Sequence, residues 1–395
     1  MGKYKFVNGV MVNTEEQKAP SAPPKLEIIT NQDDLMEACG DYKMAYNSDM
    51  KIPEPTANAL EHCSNDDLDR LGLLFGIYEV PIGLLPRLLA LKNYDIQIIL
   101  DDSGSMCANT DSKVKDLYSM YMQTVMSGFN PDSRLTRWNE EEDRLFLMLQ
   151  FLTQIDTGKI TISFMNRSDT FVINGKENKN DASINERIHK VFMSGPSGGT
   201  PTLKCMRKAL EPHAKPTIIY LMTDGVPSDT SVEELAKYLE KRPDPKNSPL
   251  TLISCTDKDE EAEWMKELEE YGPFISELDD FNDEKEEVIH DQGQGFPYSF
   301  GLYLMCMLVG AINPDDLDAL DDSRPITKFT LNDIMGRELT NEEYLLYWNS
   351  HPRRSEFETK YSDFRDSKVP TTKLVGKDTN TPMKKLGALF KKKLF

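Results

Sequence analysis

From Asn93 onward, short apolar runs alternate with stretches of helical periodicity. Ile96, Ile98, Ile99 and Leu100 form a continuous apolar run that predicts a short buried strand. The run Thr217–Met222 (TIIYLM) predicts a second, and Leu250–Ser254 and Phe274–Leu278 read the same way. Lys159–Phe164 alternates apolar and polar residues, and Thr170–Ile173 is expected to pair with it as an antiparallel edge strand. Between these runs the spacing predicts helices over Arg137–Ile155, Ile184–Met193, Thr202–His213, Val232–Lys241 and Glu260–Tyr271. In the first of them Glu140, Glu141 and Glu142 occupy the opening turn, where negative charge suits the helix dipole, and Leu145, Leu149 and Leu152 share one face. Strands alternating with helices predict an α/β fold with a mostly parallel sheet and helices on both faces.

The flanks have a different texture. Residues 1–30 are polar, with the linker-like run Ala19-Pro20-Ser21-Ala22-Pro23-Pro24, and are expected to be flexible. Residues 31–92 read as a helical extension. Gln32–Tyr46 is weakly helical, and Leu71–Leu91 predicts two short helices broken near Pro81. Val114–Phe129 predicts an extra helix within an insertion, 108–133. Its Met120, Met122 and Met126 are expected to pack rather than to form a binding groove. Asp279–Glu287 reads as the solvated start of a helix, and Phe296–Ile312 as a core helix that closes the domain at 93–312. Residues 313–370 read as a C-terminal helical extension, with helices near Thr330–Met335 and Thr340–Trp348. The last segment, 371–395, is a basic amphipathic tail in which Lys384, Lys385, Lys391, Lys392 and Lys393 surround Leu386, Leu389, Phe390 and Leu394.

Charge and cysteine usage narrow the class. The net charge of -20 opposes general nucleic-acid binding, because phosphates are repelled by such a surface. The tail is the exception, and residues 383–395 suit contact with an anionic membrane surface. The six cysteines are scattered without a CxxC pair, so neither a zinc site nor a disulfide framework is expected. The opening residues lack the apolar core of a signal peptide. A reducing, cytoplasmic setting is the expectation, with a membrane-peripheral protein or one delivered into a host cell as the alternatives.

The candidate chemistry lies where the first strand ends. Asp101, Ser103 and Ser105 stand at alternate positions just beyond it, at the sheet edge where open α/β folds bind ligands. Asp102, pointing the other way, is expected to face solvent or to sit behind the ligands. The glycine-rich loop Ser197–Thr202 offers Thr200, and Asp224 ends the strand TIIYLM-T. Oxygen groups with no Cys or His among them suit Mg²⁺, with Mn²⁺ or Ca²⁺ as alternatives.

These residues carry a resemblance. DxSxS after an apolar strand, GGTPT before a helix and a strand ending in TDG resemble the von Willebrand factor A domain and its metal-ion-dependent adhesion site, in an intracellular form. The resemblance spans about Asn93–Ile312 and extends to Arg137-Trp138-Asn139-Glu140, similar to the start of that fold's first helix. It implies a Rossmann-like sheet of about six strands with one metal at its top. Asp101, Ser103 and Ser105 would form the first coordination motif, Thr200 the second and Asp224 the third. It further implies a non-enzymatic module in which a partner protein's Glu or Asp completes the metal shell. The alternatives are a membrane adaptor or secreted effector recruiting a client through the same domain, or a metal-dependent hydrolase or phosphotransferase. Against the last, aspartyl-phosphate enzymes place a second aspartate where this chain has Ser103, and no Lys or His is placed for proton transfer.

Overall fold

In the computed structural model the described residues are 4–7, 10–13, 65–155, 157–174, 182–256, 258–313, 317–321 and 325–352. The weakly helical Gln32–Tyr46 segment and the basic tail lie outside them.

Taken in chain order, strands β1 (Tyr4–Val7) and β2 (Val10–Asn13) form an antiparallel hairpin within the segment expected to be flexible. Helix α1 (Asn65–Ile77) and the short α2 (Leu85–Leu89) follow, separated near Pro81 as the sequence predicts. Then come β3 (Asp95–Leu100), β4 (Asn109–Lys113), α3 (Met120–Val125), β5 (Arg134–Thr136), α4 (Arg137–Leu152), β6 (Lys159–Phe164) and β7 (Thr170–Asn174). Next are α5 (Ala182–Phe192), α6 (Thr202–Ala209), β8 (Thr217–Thr223), α7 (Val232–Glu240), β9 (Leu250–Ser254), α8 (Asp259–Tyr271) and β10 (Ile275–Leu278). Helices α9 (Phe281–Gln292), α10 (Phe300–Val309), α11 (Lys328–Met335) and α12 (Asn341–Ser350) complete the order.

Six strands form the central sheet in the order β10-β9-β8-β3-β6-β7. All neighbours run parallel except β6 and β7, which are antiparallel. The fold is therefore a Rossmann-like α/β layout, as expected. Side-chain alternation divides its core in two. Ile96, Ile98 and Leu100 of β3 and Ile218, Tyr220 and Met222 of β8 join one cluster with α1, α2, α4, α5 and α10. Ile99, Ile219 and Leu221 join the other, with α6, α7 and α8. The second half of β3, from Ile98, and Ile218–Met222 of β8 are thus apolar at consecutive positions because each face is covered.

The two extensions pack into the first cluster: Leu71, Leu84 and Leu88 from one side of the chain, Leu331, Tyr344 and Trp348 from the other. Between them lies α10, whose residues Gly301–Val309 are all buried. A helix apolar on every side needs cover on every side, and the sheet supplies one wall: Tyr220 Oη donates to Leu308 O at 2.6 Å. At Gly301 the chain at Tyr78–Val80 comes so close that an added Cβ would lie 2.5 Å from Tyr78 O and from Val80 N. No helix among the described residues is long and apolar enough to cross a membrane.

Two local expectations are corrected. The insertion is not one helix over Val114–Phe129 but a β4–β5 pair enclosing the short α3. Ser119 caps α3 by accepting from Met122 N, and the two oxygens of one α4 carboxylate hold the chain before it: Asp143 accepts from Tyr118 N and Ser119 N, both at 2.8 Å. Extended chain at Leu117 and Ser119 therefore replaces the first turns of the expected helix. The acidic run Asp279–Glu287 is also not simply solvated. Asp280 caps α9, whereas Asp279 and Glu284 are buried, and Lys266 pairs with Asp279 at 2.8 Å.

Candidate metal centre

The carboxyl ends of β3 and β8 lie side by side, so Asp101 and Asp224 emerge next to one another. Asp101 N is held twice, by Met222 O at 3.1 Å and by Glu141 Oε1 at 2.8 Å. Its carboxylate accepts from Ser103 N at 2.8 Å and from Thr223 Oγ1 at 2.5 Å. Ser103 Oγ lies 2.9 Å from Ser105 Oγ, and Ser105 Oγ donates to Asp224 Oδ1 at 2.7 Å. Thr200 approaches from the glycine-rich loop. A Cβ added to Gly225 would sit 3.5 Å from Thr200 Oγ1 and 3.8 Å from Ser105 Oγ, so both hydroxyls face the same point of the backbone. All five sequence-predicted groups thus converge. Asp101, Ser103, Thr200 and Asp224 are buried, and Ser105 opens to the surface.

The supporting shell explains why this loop geometry is stable. Gly104 N donates to Gly198 O at 3.1 Å, and Gly198 has φ 117°, a conformation that favours glycine. Asn166 fills the space where its Cβ would be and donates to Gly199 O at 2.8 Å. Thr200 N donates to Ser228 Oγ at 2.9 Å, and Ser228 N returns a bond to Thr200 O at 2.8 Å.

Asp102 does not face solvent. It is 1% exposed and accepts from Asn166 N, Arg167 N and Arg167 Nε at 2.8, 3.2 and 2.7 Å. Arg167 in turn donates to Val191 O and Gly195 O, tying the segment before Thr200 to the strand end that carries Asp101.

Two contributors were not singled out from sequence as part of the site. Arg137 and Glu141, one turn apart on α4, both reach it: Arg137 Nη1 donates to Asp224 Oδ2 at 2.8 Å, and Glu141 holds the Asp101 amide. Their signal was a spacing. Arg137, Glu141 and Leu145 are four residues apart, so the charged pair continues the apolar stripe rather than the solvent face.

Burial dominates the electrostatics. It pushes Asp101 up to about 6, with hydrogen bonds from Thr223 and Ser103 pulling back and Asp224 adding repulsion. Glu141 is pushed well above the carboxylate range by burial and then by Asp101. Glu141 Oε2 is buried without a hydrogen-bond partner. Burial thus makes ionisation of these carboxyls costly, a cost that a proton or a cation would relieve. Two carboxylates and three hydroxyls are an all-oxygen donor set, which fits a hard divalent ion such as Mg²⁺. Among the described residues no group of three or more His, Cys, Asp or Glu side chains is placed to hold a metal, so the hydroxyls are essential to any such site.

The next acid on α4 has a pH consequence. Glu142 lies 2.7 Å from His189 Nδ1 on α5. Burial, reinforced by Asp143, pushes its carboxyl up to about 8, and burial lowers the His189 imidazole. The folded chain thus retains a proton that the unfolded chain releases in the usual carboxylate range. Its stabilising effect is full at low pH and is lost as pH rises towards 8. Below the usual histidine range the lowered His189 offsets this effect, because there the unfolded chain binds a proton that the folded chain does not, so melting temperature is expected to fall from about pH 6.5 to pH 8, and Glu142→Gln to flatten that fall. An unchanged slope in the variant, followed by circular dichroism, would assign the pH dependence elsewhere.

No family model matches the chain, and no curated protein matches it. Among solved structures it is similar to the PilB minor pilin from Streptococcus sanguinis, at 12% sequence identity and a TM-score of 0.36, over 59% of this chain and 62% of that one. The chain thus spans less than two thirds of that pilin's length, and so remote a likeness bears on no residue of the site.

Proposed function

We propose that this chain is a protein-binding module of the von Willebrand factor A type, in which Mg²⁺ held by Asp101, Ser103, Ser105, Thr200 and Asp224 captures a carboxylate of a partner protein. The observation that carries this reading is the convergence of those five oxygen groups from three separate segments, joined through Ser103, Ser105 and Asp224 by direct hydrogen bonds. Bound there, the ion would act as a Lewis acid with coordination positions left for a Glu or Asp of the partner. The chain's own part is positioning. Thr223 and the Ser103 amide orient Asp101, the Asp102–Arg167 clamp fixes the approach to Thr200, and exposed Ser105 and Gly104 leave the site open to solvent.

Exposed apolar side chains lie on the segments that carry the site: Met193 ahead of the glycine-rich loop and Val226 just past Asp224. Such residues favour a macromolecular partner over a small solute.

The test is a calorimetric titration of Mg²⁺ into chelator-stripped protein, followed by capture of partners with Mg²⁺ or with chelator. Saturable binding at one site, and a partner retained only with Mg²⁺, are the expected results. Folded protein that takes up no Mg²⁺ would overturn the proposal.

A further inference from the structure

Of the two carboxylates at the candidate centre, Asp224 is already engaged by a cation, and that cation belongs to a longer chain of charges. Arg137 is 3% exposed in its side chain and is shared among three partners. Nη1 donates to Asp224 Oδ2 at 2.8 Å, and Nη2 donates to Thr256 Oγ1 at 2.7 Å and to Glu261 Oε2 at 2.6 Å. Thr256 Oγ1 donates to the same Glu261 oxygen at 2.9 Å, and Lys258 Nζ pairs with Glu261 Oε1 at 2.9 Å. Charges thus alternate from Asp224 through Arg137 and Glu261 to Lys258. The route leads from the buried centre to a Glu261 side chain that is 35% exposed on α8.

Two properties make this arrangement more than a structural ion pair. Arg137 is the first residue of α4, and its own amide donates to Ala108 O at 3.0 Å, so the guanidinium is placed from a rigid helix start beside the metal loop. It also takes the one Asp224 oxygen that Ser105 leaves free, so both Asp224 oxygens are occupied.

We infer that Arg137 is a positioning residue that competes with the metal ion for Asp224, and that Glu261 sets the strength of that competition. The inference rests on the proposed metal site and adds its control. A guanidinium and a divalent ion seek the same carboxylate. Glu261 draws the guanidinium towards α8, and the more firmly it does so, the more of Asp224 is left for the metal. Anything that engages Glu261 from outside, such as a cationic group on a partner, would tighten Arg137 on Asp224 and loosen the ion.

The test compares Mg²⁺ affinity by calorimetry in the wild-type protein, Arg137→Gln and Glu261→Gln, with a melting curve for each. Removing the competing charge in Arg137→Gln is expected to tighten binding by at least about tenfold, the order set by one unit charge beside a divalent ion under water-like screening. Glu261→Gln leaves Arg137 with Asp224 as its one carboxylate and is expected to weaken binding at least about threefold, by the same reasoning. A merely structural role would weaken both or neither. Equal affinities in all three proteins, or weaker binding in Arg137→Gln, would overturn the inference and leave the metal site standing. Mg²⁺ uptake by Arg137→Gln alone would support Arg137 as the competitor while overturning Mg²⁺ binding by the wild-type protein. No uptake by any of the three would remove both readings. Should Arg137→Gln fail to fold, Glu261→Gln decides: weaker binding with an unchanged melting curve supports the inference, while unchanged or tighter binding, or weaker binding with a lowered melting curve, refutes it.

Discussion

Asp101→Asn is expected to lose Mg²⁺ affinity by a factor of about a hundred or more while melting no lower than the wild-type protein in chelator at pH 7. The two halves of that result have one cause. The Asp101 carboxylate is fully buried, lies beside Glu141 and Asp224, and is pushed up to about 6 mainly by burial. Holding it ionised at neutral pH costs the fold on the order of 1–3 kcal/mol, at about 1.4 kcal/mol per unit of displacement. Asparagine keeps the shape and an acceptor for Ser103 N, turns its NH2 as a donor towards Thr223 Oγ1, and removes that cost. The metal loses one of only two anionic donors, and about a hundredfold corresponds to about 2.7 kcal/mol, a modest value for a carboxylate facing a divalent ion in a buried site. Calorimetry and thermal melting on the same samples check both halves. Retained affinity would remove Asp101 from the centre, and a large fall in melting temperature would give it a structural role instead.

The second large effect concerns the C-terminal extension. Trp348→Ala is expected to destabilise the whole domain by about 3–5 kcal/mol, the usual cost of emptying a large aromatic site. Trp348, Tyr344 and Tyr347 of α12 are all fully buried and share one apolar cluster with Ile96 and Ile98 of β3. Polar contacts fasten the same helix: Tyr347 Oη donates to Gln292 Oε1 on α9 and accepts from Ile326 N at 3.0 Å, and Tyr344 Oη donates to Ile326 O at 2.9 Å. The expected observation is a single unfolding transition displaced by on the order of 10 °C. A separate early transition that leaves the main one in place would make the extension an independent unit.

How much of this was legible in the chain depended on range. Strands β8 and β9 were readable because burial on both faces leaves them without a charged residue and mostly apolar, and nothing else so short looks like TIIYLM. The break near Pro81 was readable because proline acts locally. Around α3 the spacing of Met120, Met122 and Met126 suggested a longer helix, and that signal was overridden by partners far along the chain: Asp143 on α4 and the β4–β5 pairing. The five oxygen groups were readable because each sits in a short motif at a strand or helix end. Arg137 was legible only as a position on the buried stripe, through its spacing to Glu141 and Leu145; its partner Asp224 stands 87 positions away and no local pattern links them. Glu141 was assigned to the helix dipole because the four acids Glu140–Asp143 look alike in sequence, although Glu141, Glu142 and Asp143 fasten three different segments: the loop after β3 through Asp101, helix α5 through His189, and the insertion through Tyr118 and Ser119.

The strand order has a consequence for how the chain is made. β3 lies at the middle of the sheet between β6 and β8, and β8 begins at Thr217, long after β3 ends at Leu100. At about 5–20 residues per second, a ribosome needs roughly 6 to 25 seconds to deliver the second neighbour of a strand it has already released. During that interval Ile96, Ile98, Ile99 and Leu100 stand with one edge unpaired and their cover incomplete, since α10 and α12 come later still. The nascent chain therefore carries its most aggregation-prone strand early, and holdase chaperones that recognise extended apolar segments are expected to engage it there.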